Sequence, residues 1–127
     1  MKIFNNTKIP KNFEGSALAI GNFDGVHVGH KKVFQQTKQI AKKNKIKFGV
    51  LTFTPLPAMF FNKKLKNYRL TSEDQKLKLF KKSKVDFTIN IKFSDIFFVK
   101  FTKKLSSKIR TIYKISQSIY TSSFLIY

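Results

Sequence analysis

The sequence predicts an α/β fold, a parallel sheet flanked by helices, and three observations predict it. Residues 16–20 (Ser-Ala-Leu-Ala-Ile) form an apolar run of the length a buried strand needs, closed by Gly21. From about His30 the pattern turns helical, with Val33, Thr37, Ile40, Ala41 and Asn44 on one face and lysines on the other. Residues 48–53 (Phe-Gly-Val-Leu-Thr-Phe) are a second buried-strand run. Strand, helix and strand within about 40 residues make a βαβ unit, whose crossover is right-handed.

The other elements follow in order. Residues 1–15 read as a polar lead-in, and residues 22–29 as a glycine-rich turn between the first strand and the first helix. Pro55 and Pro57 stop regular structure, so residues 54–68 read as a long basic loop carrying Phe60 and Phe61, of the length that in a compact domain is usually functional or mobile. Ser72-Glu73-Asp74-Gln75 is a capping box, in which the Ser oxygen accepts an orphan N–H while Gln75 reaches back. The helix it opens presents Leu77, Leu79 and Phe80 and fades near Ser83. Residues 85–91 read as a third strand and 96–109 as a third helix, with Phe98, Thr102, Leu105 and Ile109 in register. After Ser106 the chain is rich in Ser and Tyr and has no Gly or Pro to punctuate it, which is abnormal for the end of a domain.

Composition narrows the function classes. A hydrophobic content of 42% with 15 Phe is enough for a core, so wholesale disorder is excluded. The absence of Cys excludes disulfides, thiolate metal sites and cysteine nucleophiles. No apolar run approaches the roughly 18 residues that span a bilayer, and Met1-Lys2-Ile3-Phe4 leads into polar residues with no signal-peptide core. The expectation is a cytoplasmic protein without a membrane partner. The charge of +20, from 26 Lys+Arg against 6 Asp+Glu, invites a nucleic-acid reading. The cations are nearly all Lys, only Arg69 and Arg110 being Arg, and they are spread through every segment. Base readout favours the bidentate Arg fork, so no specific nucleic-acid partner is expected and the charge is read as solvated surface with a bias toward polyanionic small molecules.

The chemistry concentrates in residues 21–30, Gly-Asn-Phe-Asp-Gly-Val-His-Val-Gly-His. Three glycines spaced four apart between a strand and a helix are neither the Rossmann fingerprint nor a Walker loop. They still suit phosphate: glycines permit tight turns and close backbone approach, and the next helix offers unpaired N–H groups and its positive dipole end. His27 and His30, three apart at the helix entry, can point to one side and donate hydrogen bonds to phosphate oxygens. The bland alternatives are turn glycines, an ordinary turn Asp24 and an exposed histidine pair. With no further His and no Cys beside Asp24, His27 and His30, a metal site is not expected.

Residues 18–30, from Leu18-Ala19-Ile20 through His27-Val28-Gly29-His30, resemble the signature of the bacterial FMN adenylyltransferase (FAD synthetase) module, usually the N-terminal half of a bifunctional riboflavin kinase/FMN adenylyltransferase. His27-Val28-Gly29-His30 matches the His-x-Gly-His motif of the wider nucleotidyltransferase superfamily, and Asn22-Phe23-Asp24-Gly25 is the extension of the FAD synthetase branch. The resemblance continues through Val50 to Pro57 with Phe60-Phe61, through Arg69-Leu70-Thr71-Ser72 with Lys76-Leu77, and through Val85-Asp86-Phe87 to Phe93. It implies a Rossmann-like nucleotidyltransferase fold and the reaction of ATP with FMN to give FAD and pyrophosphate, with Mg2+. It further implies that His27 and His30 contact the ATP phosphates and that Gly21, Asn22, Phe23, Asp24, Gly25 and Gly29 shape their loop. Pro55, Pro57 and Phe61 match positions bordering the flavin, and a rigid loop with a buried Phe is the alternative for them.

The sequence departs from the family in two places. Leu56 stands where many members have His between the prolines, and the family's Asp-Phe-x-Phe-Gly and Ile-Ser-Ser-Thr-x-Ile-Arg motifs do not occur in these residues. The expected organisation is a lead-in over 1–15, a partial, C-terminally incomplete FAD synthetase domain over 16–109, and an atypical tail over 110–127 of the kind a frameshift or truncation leaves. The riboflavin kinase partner domain is absent from this sequence. Open alternatives are another nucleotidyltransferase of the superfamily, a basic polyanion-binding protein, and a fragment without a function of its own.

Overall fold

A computed structural model describes residues 1–6, 8–55, 59, 62, 64 and 70–92. Four strands, β1 (Lys2–Phe4), β2 (Ala17–Ile20), β3 (Phe48–Thr54) and β4 (Phe87–Lys92), form one sheet in the order β1-β4-β3-β2. Every pairing is parallel, so each connection must cross over the sheet. Helix α1 (Val28–Lys43) joins β2 to β3, and α2 (Glu73–Lys82) joins β3 to β4. The expected α/β class and the βαβ unit are present.

Strand alternation assigns the two faces. Ala17, Ala19, Phe48 and Val50 share a cluster with Phe34 and Ala41 of α1 and Phe80 of α2, so both helices cover one face. Leu51, Phe87, Ile89 and Ile91 face the other way and pack with Phe13, Phe4, Ile9, Leu18, Ile20 and Phe53. Gly49 sits where the second face is tightest: a Cβ there would fall 2.7 Å from Leu18 Cδ2 and nearer still to the Phe87 ring.

Three sequence expectations change. Residues 1–15 are more than a polar lead-in: Lys2–Phe4 pairs with β4 as an edge strand, and Phe13, on a 3-10 turn, stacks edge-on to Phe4 and Phe87. Helix α1 starts at Val28, two residues before the expected point, because His27 caps it, and Phe34, which the expected face left out, is buried beside Thr37 and Ala41. The third strand begins at Phe87, because Val85 completes the end of α2 by donating its N–H to Phe80 O and Asp86 accepts from Phe48 N. The capping box at Ser72 is present with both of its bonds, and α2 stops at its C-cap Ser83, near where the pattern fades. The third helix expected over 96–109, the tail, and most of the loop expected over 54–68 lie outside the described residues.

Candidate active site

The chain leaves the carboxyl end of β2 and must reverse before α1. Gly21 N–H extends the ladder by donating to Leu51 O at 3.0 Å. The turn that follows is left-handed at Phe23 (φ 49°), Gly25 (φ 72°) and Val26 (φ 40°). A side-chain-bearing residue pays a steric cost there, greatest for a β-branched one. Burial offsets it: Phe23 and Val26 are 2% and 4% exposed, and the Phe23 ring packs on His30, Phe34 and Phe80 with centroids 5.2, 4.8 and 6.2 Å away. Only Gly25 of the three glycines uses a positive φ. Gly21 and Gly29 serve close approach, since a Cβ would meet Phe23 Cζ or His27 Cε1 at 3.1 Å.

Asp24 ties this turn to the entry of α2. Its Oδ2 accepts from Leu70 N at 2.7 Å, and its Oδ1 accepts from Thr71 N at 2.9 Å and from the Thr71 hydroxyl at 2.8 Å. The Thr71 oxygen in turn accepts from Gly25 N at 3.2 Å. Burial alone would raise the Asp24 pKa, but those donors and the nearby Lys76 charge together hold it below the usual carboxylate value. Asp24 is therefore a structural acceptor, anionic at neutral pH.

His27 and His30 do come together. Their rings stack with centroids 3.7 Å apart and planes 27° from parallel. His27 is the N-cap of α1, its Nδ1 accepting from Gly29 N at 3.2 Å. With Nδ1 occupied as an acceptor, the neutral ring carries its proton on Nε2, a donor with no partner among the described residues. His30 is half-buried, and its Nδ1 has no hydrogen-bond partner among the described residues. Burial first, and the neighbouring His27 second, push its pKa down to about 4, against a smaller upward pull from Asp24. It is neutral at pH 7. No acidic residue lies in the first turn of α1, whereas α2 carries Glu73 and Asp74 in its own. The positive end of α1 thus carries no acid of its own, whereas that of α2 is already answered.

A polar cluster that the sequence analysis did not assign lies beneath this turn. Thr52 and Thr54, on the helix-facing side of β3, replace the apolar Phe48 and Val50 of its first half. The Thr52 hydroxyl donates to Asn22 O at 3.1 Å and accepts from Lys76 Nζ at 3.3 Å. Lys76, 3% exposed, also pairs with Glu73 at 3.3 Å. Thr54 Oγ1 lies 3.2 Å from Glu73 Oε1 and 2.8 Å from Asn90 Oδ1. The missed signal was the change from apolar to Thr along one face of β3. Of the residues expected near a flavin, Pro55 directly follows β3, while Pro57 and Phe61 lie outside the described residues. Among the described residues no group of three His, Cys, Asp or Glu is placed to hold a metal ion, and no helix is long and apolar enough to cross a membrane.

Residues 9–114 match the model of the FAD synthetase family. The chain belongs to the FAD synthetase family. Among its relatives, the bifunctional riboflavin kinase/FMN adenylyltransferase of Buchnera aphidicola subsp. Schizaphis graminum is 42% identical over 95 residues, 75% of this chain and 30% of the relative. Those of Haemophilus influenzae and Escherichia coli K12 are 39% and 34% identical over 66% and 72% of this chain. The chain spans 30%, 27% and 28% of the length of these three relatives. A crystal structure titled as a macrolide-efflux protein from Streptococcus pneumoniae superposes with a TM-score of 0.53 at 24% identity, covering 65% of this chain and 28% of that one. That likeness speaks for the fold of this FAD synthetase family member alone.

Proposed function

We propose that the chain forms the ATP-phosphate side of an FMN adenylyltransferase. An oxygen of the FMN phosphate attacks the α-phosphorus of magnesium-bound ATP, the bond to the β-phosphate oxygen breaks, and FAD and pyrophosphate leave. The observation that carries this reading is the stacked His27–His30 pair at an α1 entry with no acid in its first turn. His27 Nε2–H and the end of α1 meet the triphosphate charge, with His30 beside them as a neutral imidazole. No protein nucleophile is required, because such transfer depends on positioning and charge stabilisation. Gly21, Asn22, Phe23, Asp24, Gly25 and Gly29 shape the loop, and Pro55, Pro57 and Phe61 border the flavin. The names of the relatives support a riboflavin kinase domain as the companion of this module.

The assay is FAD formation from FMN and ATP with magnesium, followed by chromatography. The family's hydroxyl-and-Arg motif is not among these 127 residues, and losing even one preorganised donor costs about 10²–10³ in rate. The 127-residue chain is therefore expected to bind ATP weakly and to form no detectable FAD. A chain extended through that motif forms FAD, and in it His27→Ala and His30→Ala each lower kcat more than they raise KM. Unchanged turnover in both variants overturns the assignment.

A further inference from the structure

We propose that Lys76 is a positioning residue for the phosphate-binding turn, holding the Asn22 carbonyl through the Thr52 hydroxyl and so setting where the turn leaves the sheet. The inference deepens the proposed function and rests on it for the identity of the ligand. Lys76 lies on the buried face of α2, where an apolar residue of similar length would pack without the cost of taking an ammonium out of water. What the charge gains there is a directed chain. An ammonium only donates, so the Thr52 oxygen must accept from Lys76 and give its single proton onward to Asn22 O. Glu73, one turn earlier, answers the charge with both carboxylate oxygens at 3.3 Å. Asn22 is the first residue past Gly21, so this bond fixes the start of the left-handed turn.

Two further observations converge on the same segment. Leu70 and Thr71, just before α2, hold Asp24 two residues along. The entry of α2 therefore reaches the turn by two routes, at Asn22 through Thr52 of β3 and at Asp24 through Leu70 and Thr71. The Lys76 charge also acts on Asp24 directly, favouring the ionised form that accepts those bonds. A shift of α2 would consequently disturb both routes to the histidine-bearing loop together.

The test uses the 127-residue chain and amide hydrogen exchange, which needs no ligand. Gly25 N–H, bonded to Thr71, and Leu70 and Thr71 N–H, bonded to Asp24, report the turn. Asp86 N–H, bonded to Phe48 O at the opposite end of the sheet, reports global opening. Lys76→Met and Thr52→Val should each speed exchange at the three turn amides by about tenfold relative to Asp86. The double variant should be no faster than the faster single, because both cut one chain. Thr52→Ser keeps the hydroxyl and should keep the protection. Additive effects, or acceleration shared equally by Asp86, overturn the proposal. Thr52→Val and Thr52→Ser leave the Lys76–Glu73 pair intact, so equal exchange in these two overturns it even where Lys76→Met does not fold. In a parallel titration with MgATP, the affinity of Lys76→Met should fall by about tenfold, and unchanged affinity counts against the proposal. A wild-type chain that shows the exchange pattern but binds no MgATP overturns the proposed function and leaves the positioning of the turn supported.

Discussion

Among the described residues, left-handed backbone at residues other than glycine occurs in two settings. Phe23 and Val26 adopt it in the turn before α1, and Lys45 and Lys84 adopt it just past the ends of α1 and α2. At the helix ends the conformation completes a local hydrogen-bond motif. Lys45 N donates to Lys42 O and Ile46 N to Ala41 O, and Lys84 and Val85 repeat the pattern on Lys81 and Phe80. The lysine side chains are exposed and play no part in it. In the turn, by contrast, the side chains are what hold the conformation: both are buried, and Phe23 is the ring against which His30 stands. The same backbone anomaly is thus a helix stop in one setting and, in the other, a strain that core packing imposes on the candidate site.

The largest expected effect breaks the second setting. Phe23→Ala removes a fully buried ring from the α1–α2 cluster and should cost about 3–5 kcal/mol in denaturant unfolding. If Gly25 alone made the turn, the loss would be small and confined to the loop. Next in size is Asp24→Asn, which places an NH2 against N–H donors and removes the anion from a cluster of three hydrogen bonds. A loss of about 1–3 kcal/mol is expected, by the same measurement.

Local signals in the sequence identified local structure. The capping box at Ser72, the strand at β3 and the glycine-bearing turn into a helix at the β2–α1 junction are all recognisable from neighbours in the chain. Contacts across long separations were not. Thr71 meets Asp24 across 47 residues, and nothing near Thr71 marks it as a partner for that carboxylate. Lys76 stood in the sequence only as part of the family-like Lys76-Leu77 pair, and nothing in the lysine-rich chain around it marks it as buried. The edge strand β1 has only three residues and no apolar run, and its existence depends on β4, far along the chain. The glycine spacing pointed to a tight turn made by glycines, yet Phe23 and Val26 supply two of its three left-handed residues. Tertiary burial decided that, and no local propensity could have announced it.

A pH change separates the histidine side of the turn from its carboxylate. Folded His30 loses its proton near pH 4, and the unfolded chain does so near 6.5. Between these values the unfolded chain binds more protons, so stability present above pH 6.5 is lost as pH falls toward 4. Asp24, held below 3.8, adds its own loss only under that value. Because His30 is partly exposed, solvent screening reduces the effect. Thermal melts from pH 7 down to about 4.5 should fall steadily. His30→Phe, which keeps a ring beside Phe23 without a titrating nitrogen, should flatten that fall. An unchanged slope in the variant would place the acid sensitivity elsewhere.

The smallest effects test the comparison by sign. Lys45→Gly and Lys84→Gly remove a Cβ from a left-handed position without touching the carbonyls their N–H groups reach, and the strain relieved is about 1–2 kcal/mol per residue. Part of that is returned as glycine's extra freedom in the unfolded chain, about 0.5–1 kcal/mol. A net stabilisation of up to about 1 kcal/mol is expected for each, additive because the sites share no partner. Val26→Gly relieves the same kind of strain but exposes the core to the loss of a buried side chain, which is worth about 1.5–3 kcal/mol. It should therefore destabilise, while the lysine variants stabilise, although the backbone angles being relieved lie between 40° and 59° in all three. Paired denaturant curves for the three variants read the signs directly. Stabilisation by Val26→Gly would mean that the buried turn gains little from its side chains, and the distinction between strain held by packing and strain serving only as a helix stop would fail.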